Sequence, residues 1–208
     1  MVSDNKTLDK VYTAETTDEL MDAYKDWACD YETDTVDACG YVAHLATAKA
    51  LDAVAPGQDI RILDAGCGTG LVGQALRSLG YGTMDALDFS AEMLEQARGK
   101  GIYDGHMQAD LGNRLDIPDN AYDAVVCCGT FTYGHVRASA FDELVRVTRP
   151  EGHVIFTIRE GAYEDYGYRA RMLDLERGRR WELVSMYDED YLPAEGVGCK
   201  MCTYQVLG

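Results

Sequence analysis

Positive charge is scarce in this chain. Nineteen Lys and Arg stand against thirty-six Asp and Glu, a formal net charge of −17 at pH 7. Binding a nucleic-acid backbone relies on cations that displace counterions, so a surface of this sign repels such a polymer. Long apolar runs are lacking as well: none approaches the ~18–20 residues of a membrane span. The first residues, Met1-Val-Ser-Asp-Asn-Lys6, are polar, without the apolar stretch of a secretory signal. These absences lead us to expect a cytoplasmic protein with no nucleic-acid and no membrane partner, a monomer or homodimer.

Cysteine is present but lacks a framework. The seven, at 29, 39, 67, 127, 128, 199 and 202, form an odd number without scaffold-like spacing, so free thiols in a reducing compartment are expected. Cys199-Lys-Met-Cys202 has C-x-x-C spacing, yet no second pair or His cluster completes a zinc site. On a strand, i and i+3 also point to opposite faces. No metal is expected. One local exception to the acidic charge is Arg169, Arg171, Arg177, Arg179 and Arg180, interrupted by Asp174 and Glu176. Its plain reading is a solvated helix face with i,i+3 and i,i+4 ion pairs; its sharper one is a docking patch for an anionic substrate or partner.

The chain is long enough for one sizeable core, and no repeat, low-complexity tract or linker divides it. A capping box at Thr16-Thr-Asp-Glu19 precedes Leu20, Met21, Tyr24, Trp27, Ala28 and Tyr31 at helical spacing. A second helix is expected over 36–54, ended by Pro56-Gly57. The pattern then alternates. Strands are expected at 60–63, 83–87, 106–109, 124–128, 154–158, 181–187 and 200–206. Helices are expected at 71–79, 91–98 (capped by Ser90), 140–147 and 163–177. Five βα units followed by two strands predict an α/β fold, a doubly wound, seven-stranded, mostly parallel sheet, with the last strand antiparallel. We expect a single domain: N-terminal helices over 1–57, a cofactor-binding core over 58–160, and a C-terminal helix and strands over 161–208 on the acceptor side. Ligands of such sheets bind beyond the C-terminal strand ends, where strand order reverses.

The first strand runs into Asp64-Ala-Gly-Cys-Gly-Thr-Gly70 and then a helix. Glycines allow positive φ and close backbone approach, and the helix N-terminus presents unpaired N–H groups. That describes a site for a nucleotide-like cofactor. Gly68, Gly70 and Gly73, with Asp88 twenty residues after Gly68, also fit the dinucleotide fingerprint of an NAD-dependent oxidoreductase. Against it, the turn begins earlier, at Gly66, and Asp64 ends the strand. An acid there suits a cofactor with an amino group and a sulfonium and repels a pyrophosphate. Little chain remains for a hydride-acceptor domain.

Leu63-Asp-Ala-Gly-Cys-Gly-Thr-Gly70 resembles the glycine loop of class I S-adenosylmethionine-dependent methyltransferases. Four further segments resemble that family in the same order: Ala86-Leu-Asp88-Phe-Ser-Ala-Glu-Met-Leu94, Gln108-Ala-Asp110-Leu111, Tyr122-Asp-Ala-Val-Val-Cys-Cys-Gly129, and Glu143 to Gly152. The matches span about residues 60–158. The resemblance implies S-adenosyl-L-methionine as cofactor and S-adenosyl-L-homocysteine as product. Asp64, Ala65, Gly66, Cys67, Gly68 and Gly70 would form the loop, and Asp88 would take the ribose hydroxyls. Phe89 and Met93 would flank the adenine, Asp110 and Leu111 would meet its amino edge, and Cys128, at the end of strand four, would also line the cofactor site. Adjacent ribose hydroxyls are donors, so one carboxylate can accept from both. The plain alternative for each Asp is a helix or turn cap.

Tyr24-Lys-Asp-Trp27-Ala-Cys-Asp-Tyr31 resembles the Y-x-x-W-A-x-x-Y helix of a small-molecule branch with ubiquinone-biosynthesis-like and Williams–Beuren-region-like members. There Tyr24, Trp27 and Tyr31 would fold over the cofactor as a lid, holding the sulfonium partly by cation–π attraction. The alternative is an amphipathic helix packed on the sheet edge. The loop Gly129-Thr-Phe-Thr-Tyr-Gly-His135 would lie beside the methyl, with His135 and Tyr133 as general-base candidates. Glu160, Tyr163 and Asp165 face the same side, and 188–198 would cover the acceptor. The expected activity is methyl transfer to a small-molecule acceptor. Its alternatives are the oxidoreductase, a protein-directed methyltransferase, or a non-catalytic binding module on the same fold.

Overall fold

The computed structural model describes residues 31–133 and 136–208, together with 10, 13, 19, 22, 23, 25 and 27. The Thr16 capping box, Leu20, Met21, Tyr24, Ala28, Cys29 and His135 lie outside the described residues. Seven strands form one sheet: β1 Arg61–Ala65, β2 Thr83–Asp88, β3 Gly105–Gln108, β4 Tyr122–Phe131, β5 Thr148–Arg159, β6 Trp181–Leu192 and β7 Val197–Val206. Their order is β3-β2-β1-β4-β5-β7-β6. β1 to β5 pair in parallel, and β7 runs antiparallel between β5 and β6. This is the expected doubly wound α/β sheet with an antiparallel last strand.

Apolar residues on successive strand positions explain why helices cover both faces. Along β4, Ala124, Val126 and Cys128 enter one core, while Val125, Cys127 and Phe131 enter the other. The first core is covered by α1 (Ala43–Val54), α2 (Leu71–Ser78) and α3 (Ala91–Gly99). The second is covered by α4 (Ala140–Val147), α5 (Ala162–Asp165) and α6 (Tyr168–Arg177). Trp181 anchors the second core, stacking on Tyr204 at 4.1 Å between ring centroids. Cys199 and Cys202 fall into opposite cores, as strand periodicity requires.

Ser90 caps α3 as expected, its hydroxyl accepting from the Met93 N–H at 3.2 Å. Two helix expectations need correction. The single helix over 36–54 is two pieces: a π-helical turn at Thr33–Ala38 and α1 from Ala43. Gly40, at φ +70°, turns the chain between them. The helix over 163–177 is also two pieces, α5 and α6, separated at Gly167, whose φ is +73°. A left-handed residue ends a helix, and glycine adopts that conformation without steric cost.

Candidate active site

The strand order reverses between β1 and β4, so a crevice opens beyond their C-terminal ends. Asp64 is the penultimate residue of β1 and is fully buried. Its Oδ2 accepts from the Tyr103 hydroxyl at 2.6 Å, while Oδ1 has no partner among the described residues. Burial pushes this carboxyl up to about 7, against the pull of the Tyr103 hydrogen bond. After Asp64 and the buried Ala65 the loop turns through Gly66, Gly68 and Gly70, all at positive φ.

The loop glycines serve different ends. A Cβ on Gly66 would collide with the Thr130 side chain, and one on Gly73 with Tyr103. At Gly70 a Cβ would lie 3.2 Å from Tyr103 Cε2. At Gly68, φ +53°, a Cβ would meet nothing within 4 Å. The backbone there faces open space. An open backbone cradle beside a buried carboxylate oxygen that lacks a donor fits a ligand that brings an amino group. Cys67 is buried, its thiol donating to Gly68 O at 3.4 Å and pushed well above the usual thiol range by burial.

Asp88 closes β2. Its Oδ2 accepts from the Gly68 N–H at 2.8 Å and its Oδ1 from the Ser90 N–H at 2.9 Å. One carboxylate thus ties the glycine loop to the start of α3. Burial raises this carboxyl, opposed by those backbone donors. Phe89 is 38% exposed beside it, and Met93 is buried on α3. Asp110 follows β3 and accepts from the Gly112 N–H at 2.7 Å and from Asn113 Nδ2 at 2.9 Å. It is a turn cap with lone pairs to spare. The next residue, Leu111, is buried in the second core.

The far wall belongs to β4. Its register against β5 shifts between Cys127 and Phe131, and Gly129 sits there at φ +76°. Such irregularities re-aim the chain at the rim of a site. The Tyr41 hydroxyl lies 3.0 Å from Cys128 Sγ, and burial raises both groups above their usual range. A Cβ on Gly129 would stand 3.1 Å from the hydroxyls of both Tyr41 and Tyr191. The segment expected to cover this side therefore reaches it through Tyr191. Tyr133 is half-buried, with the buried Arg159 guanidinium 4.4 Å from its ring centroid.

On the opposite flank, Trp27 is buried in the first core and meets Tyr31 edge-on at 4.7 Å. Glu32 follows. It accepts from the Thr69 hydroxyl at 2.6 Å and from the Lys100 ammonium. Burial would raise the Glu32 carboxyl, but Lys100 and Thr69 hold it below its usual value. The N-terminal segment is thereby bonded to the glycine loop.

A methyltransferase domain profile matches residues 63–156. Methyltransferase-like protein 27 of Homo sapiens is 34% identical over 179 residues, covering 83% of this chain and 72% of that protein. The chain belongs to the class I S-adenosylmethionine-dependent methyltransferases. The malonyl-[acyl-carrier protein] O-methyltransferase of Buchnera aphidicola is 38% identical over 117 residues, covering 56% of this methyltransferase and 47% of that enzyme. The chain thus spans about half the length of that relative. A TehB-like methyltransferase from Corynebacterium glutamicum shares the fold, with a TM-score of 0.64 at 20% identity over 88% of this chain and 97% of that one.

Family membership sets aside the oxidoreductase reading, and the geometry explains the glycine that suggested it. Gly73 accommodates the Tyr103 ring in this methyltransferase. Tyr103 itself, in the loop before β3, carries no periodic or motif signal; the demand of Gly73 for a close neighbour was its one trace. Glu32 and Tyr41 were equally hidden, since only the tertiary fold brings them to the loops. In the arginine cluster, Arg177 makes an i,i+3 pair with Asp174, as the plain reading expects, while Arg169 pairs with Glu164 five residues before it and Arg171 with the distant Asp142 of α4. Among the described residues, no helix is long and apolar enough to cross a membrane.

Proposed function

We propose that this methyltransferase holds S-adenosylmethionine across the glycine loop and passes its methyl to a small-molecule acceptor seated against β4. When bound, the cofactor supplies a methyl group on a positively charged sulfur that leaves as a neutral thioether. The chain's own contribution is binding, orientation and exclusion of water. Asp64 faces the amino group, the Gly68 backbone lies against the cofactor, Asp88 takes the ribose hydroxyls, and Phe89, Met93, Asp110 and Leu111 frame the adenine. Trp27 and Tyr31 close over it. Alignment alone supplies much of such a reaction's acceleration, since oriented intramolecular reactions gain ~7–11 kcal/mol.

The observation that carries the small-acceptor reading is the enclosure of Gly129. The hydroxyls of Tyr41 and Tyr191 crowd the end of β4, and that narrowing supports a small acceptor group. The charge of −17 also disfavours a polyanion. Relatives named for malonyl-[acyl-carrier protein] favour a second version, in which the small group arrives on a carrier. The test is transfer of labelled methyl into cell extract split by size. Label in the small-molecule fraction, or on a carrier's detachable acyl group, supports the reading. Label on protein side chains alone overturns it.

A further inference from the structure

His44 lies on the first turn of α1 and is 8% exposed. Its Nδ1 has no hydrogen-bond partner among the described residues. A buried polar atom without a partner costs stability unless something else satisfies it. The surroundings of the ring say what that is. One face stacks on Tyr41, with centroids 5.4 Å apart and planes 22° from parallel. The hydroxyl of that same Tyr41 reaches Cys128 at the end of β4. Glu32 acts electrostatically on the imidazole, and Glu32 holds Thr69 of the glycine loop. His44 is thus joined to the end of β4 through Tyr41 and, through the charge of Glu32, linked to the loop after β1; these are the two neighbouring strands where the sheet order reverses. Donor and acceptor of a methyl group have to meet in that crevice.

We infer that His44 faces the transferable methyl and takes the proton of a protic acceptor, a hydroxyl, amine or thiol; this rests on the methyltransferase reading above. The acceptor's lone pair forms the new bond to carbon, the S–C pair stays on sulfur, and the acceptor's proton moves to the imidazole, which returns it to solvent after product leaves. A proton acceptor has to be neutral beforehand. Tyr41 before α1 stacks on the ring, and the charges that act on it are Glu32 on the N-terminal flank and Lys100 after α3. Burial lowers the His44 value, Glu32 raises it and Lys100 lowers it, and the balance is downward. The imidazole is therefore neutral at pH 7.

The test needs no knowledge of the acceptor. S-adenosylmethionine and S-adenosylhomocysteine differ in the methyl and the positive charge on sulfur. The full chain is titrated by NMR in each complex, following the four histidines. The His44 resonance is assigned with His44→Gln, or by elimination with His106→Gln, His135→Gln and His153→Gln if that variant does not fold. The expected result is a titration midpoint lower with S-adenosylmethionine by about 0.5–2 pH units, the range for a unit charge ~6 Å away as the effective dielectric falls from ~80 to ~20. Equal His44 midpoints in the two complexes would overturn the inference. Calorimetry on the same sample separates the two failures. No binding of either compound defeats the methyltransferase reading; binding with an unmoved His44 defeats only the role given to His44.

Discussion

The Tyr103 hydroxyl donates to Asp64 Oδ2 at 2.6 Å, and both residues are buried at the end of β1. The contact links the loop before β3 to the carboxylate from which the glycine loop departs. Tyr103→Phe leaves that carboxylate without its donor, at a cost of about 1–3 kcal/mol when it is ionised. The loss is expected to be larger at pH 8 than at pH 5, because the carboxyl, pushed up to about 7, is protonated at the lower pH. Urea unfolding at the two pH values checks this; equal losses would contradict it.

Asp64 also shapes stability against pH. Its value rises from 3.8 to about 7 on folding, so the folded state holds the extra proton between those values. Stability from this group is therefore full below pH 4 and declines as pH rises toward 7. Asp64→Asn removes the decline. The difference in unfolding free energy between Asp64→Asn and the parent is expected to grow by a few kcal/mol from pH 4 to pH 7.5, on the order of 1.4 per pH unit. A constant difference would count against a buried, raised carboxyl.

The glycines of the loop should separate under mutation. Gly73→Ala drives a methyl into Tyr103, and a loss of roughly 1–3 kcal/mol of stability is expected from such overpacking. Gly68→Ala meets no atom within 4 Å and pays for its positive φ alone, roughly 1–2 kcal/mol. Its larger effect falls on S-adenosylhomocysteine affinity, expected to drop at least about tenfold because the methyl occupies the cradle (a factor of ten is ~1.4 kcal/mol). Thermal unfolding and calorimetry on both variants decide. Unchanged affinity in Gly68→Ala would move the cofactor away from this loop.

Glu32 joins the N-terminal flank to Thr69 and Lys100. Glu32→Gln keeps the shape and removes the charge. For a half-exposed pair the loss is modest, about 0.5–1 kcal/mol, read as a two- to five-fold faster release of S-adenosylhomocysteine. Trp27 reports it by fluorescence in a Trp181→Phe background, since the chain has two tryptophans. An unchanged release rate would mean that this flank is packing and not a lid.

What could be read in advance follows from the range of the interactions. The seven strands, their apolar runs and the acids at their ends are local features. Asp64 and Asp88 were legible because each sits where a strand stops and a helix begins. The double duty of Asp88, tied to both Gly68 and Ser90, was half visible as a cap. The helix breaks at Gly40 and Gly167 were marked by glycine itself but masked by helical apolar spacing on either side. Tyr103, Glu32 and Tyr41 were not legible as site residues, because their partners lie 37 to 87 residues away and only the closed sheet brings them together; His44, three residues from Tyr41, was hidden because the contact of Tyr41 with Cys128 was. Tyr133 follows β4 as expected, while Arg159 beneath it is a contact between two strand ends that no motif encodes.

On the proposed function, the loop from Asp64 to Gly70, tied down by Asp88, seats S-adenosylmethionine. Isothermal calorimetry with S-adenosylhomocysteine tests it most directly. One site per chain is expected, with affinity at least about tenfold weaker in Asp88→Ala (~1.4 kcal/mol) and no stabilisation of the parent by NADH. No binding at millimolar S-adenosylhomocysteine, or full binding in Asp88→Ala, would contradict it.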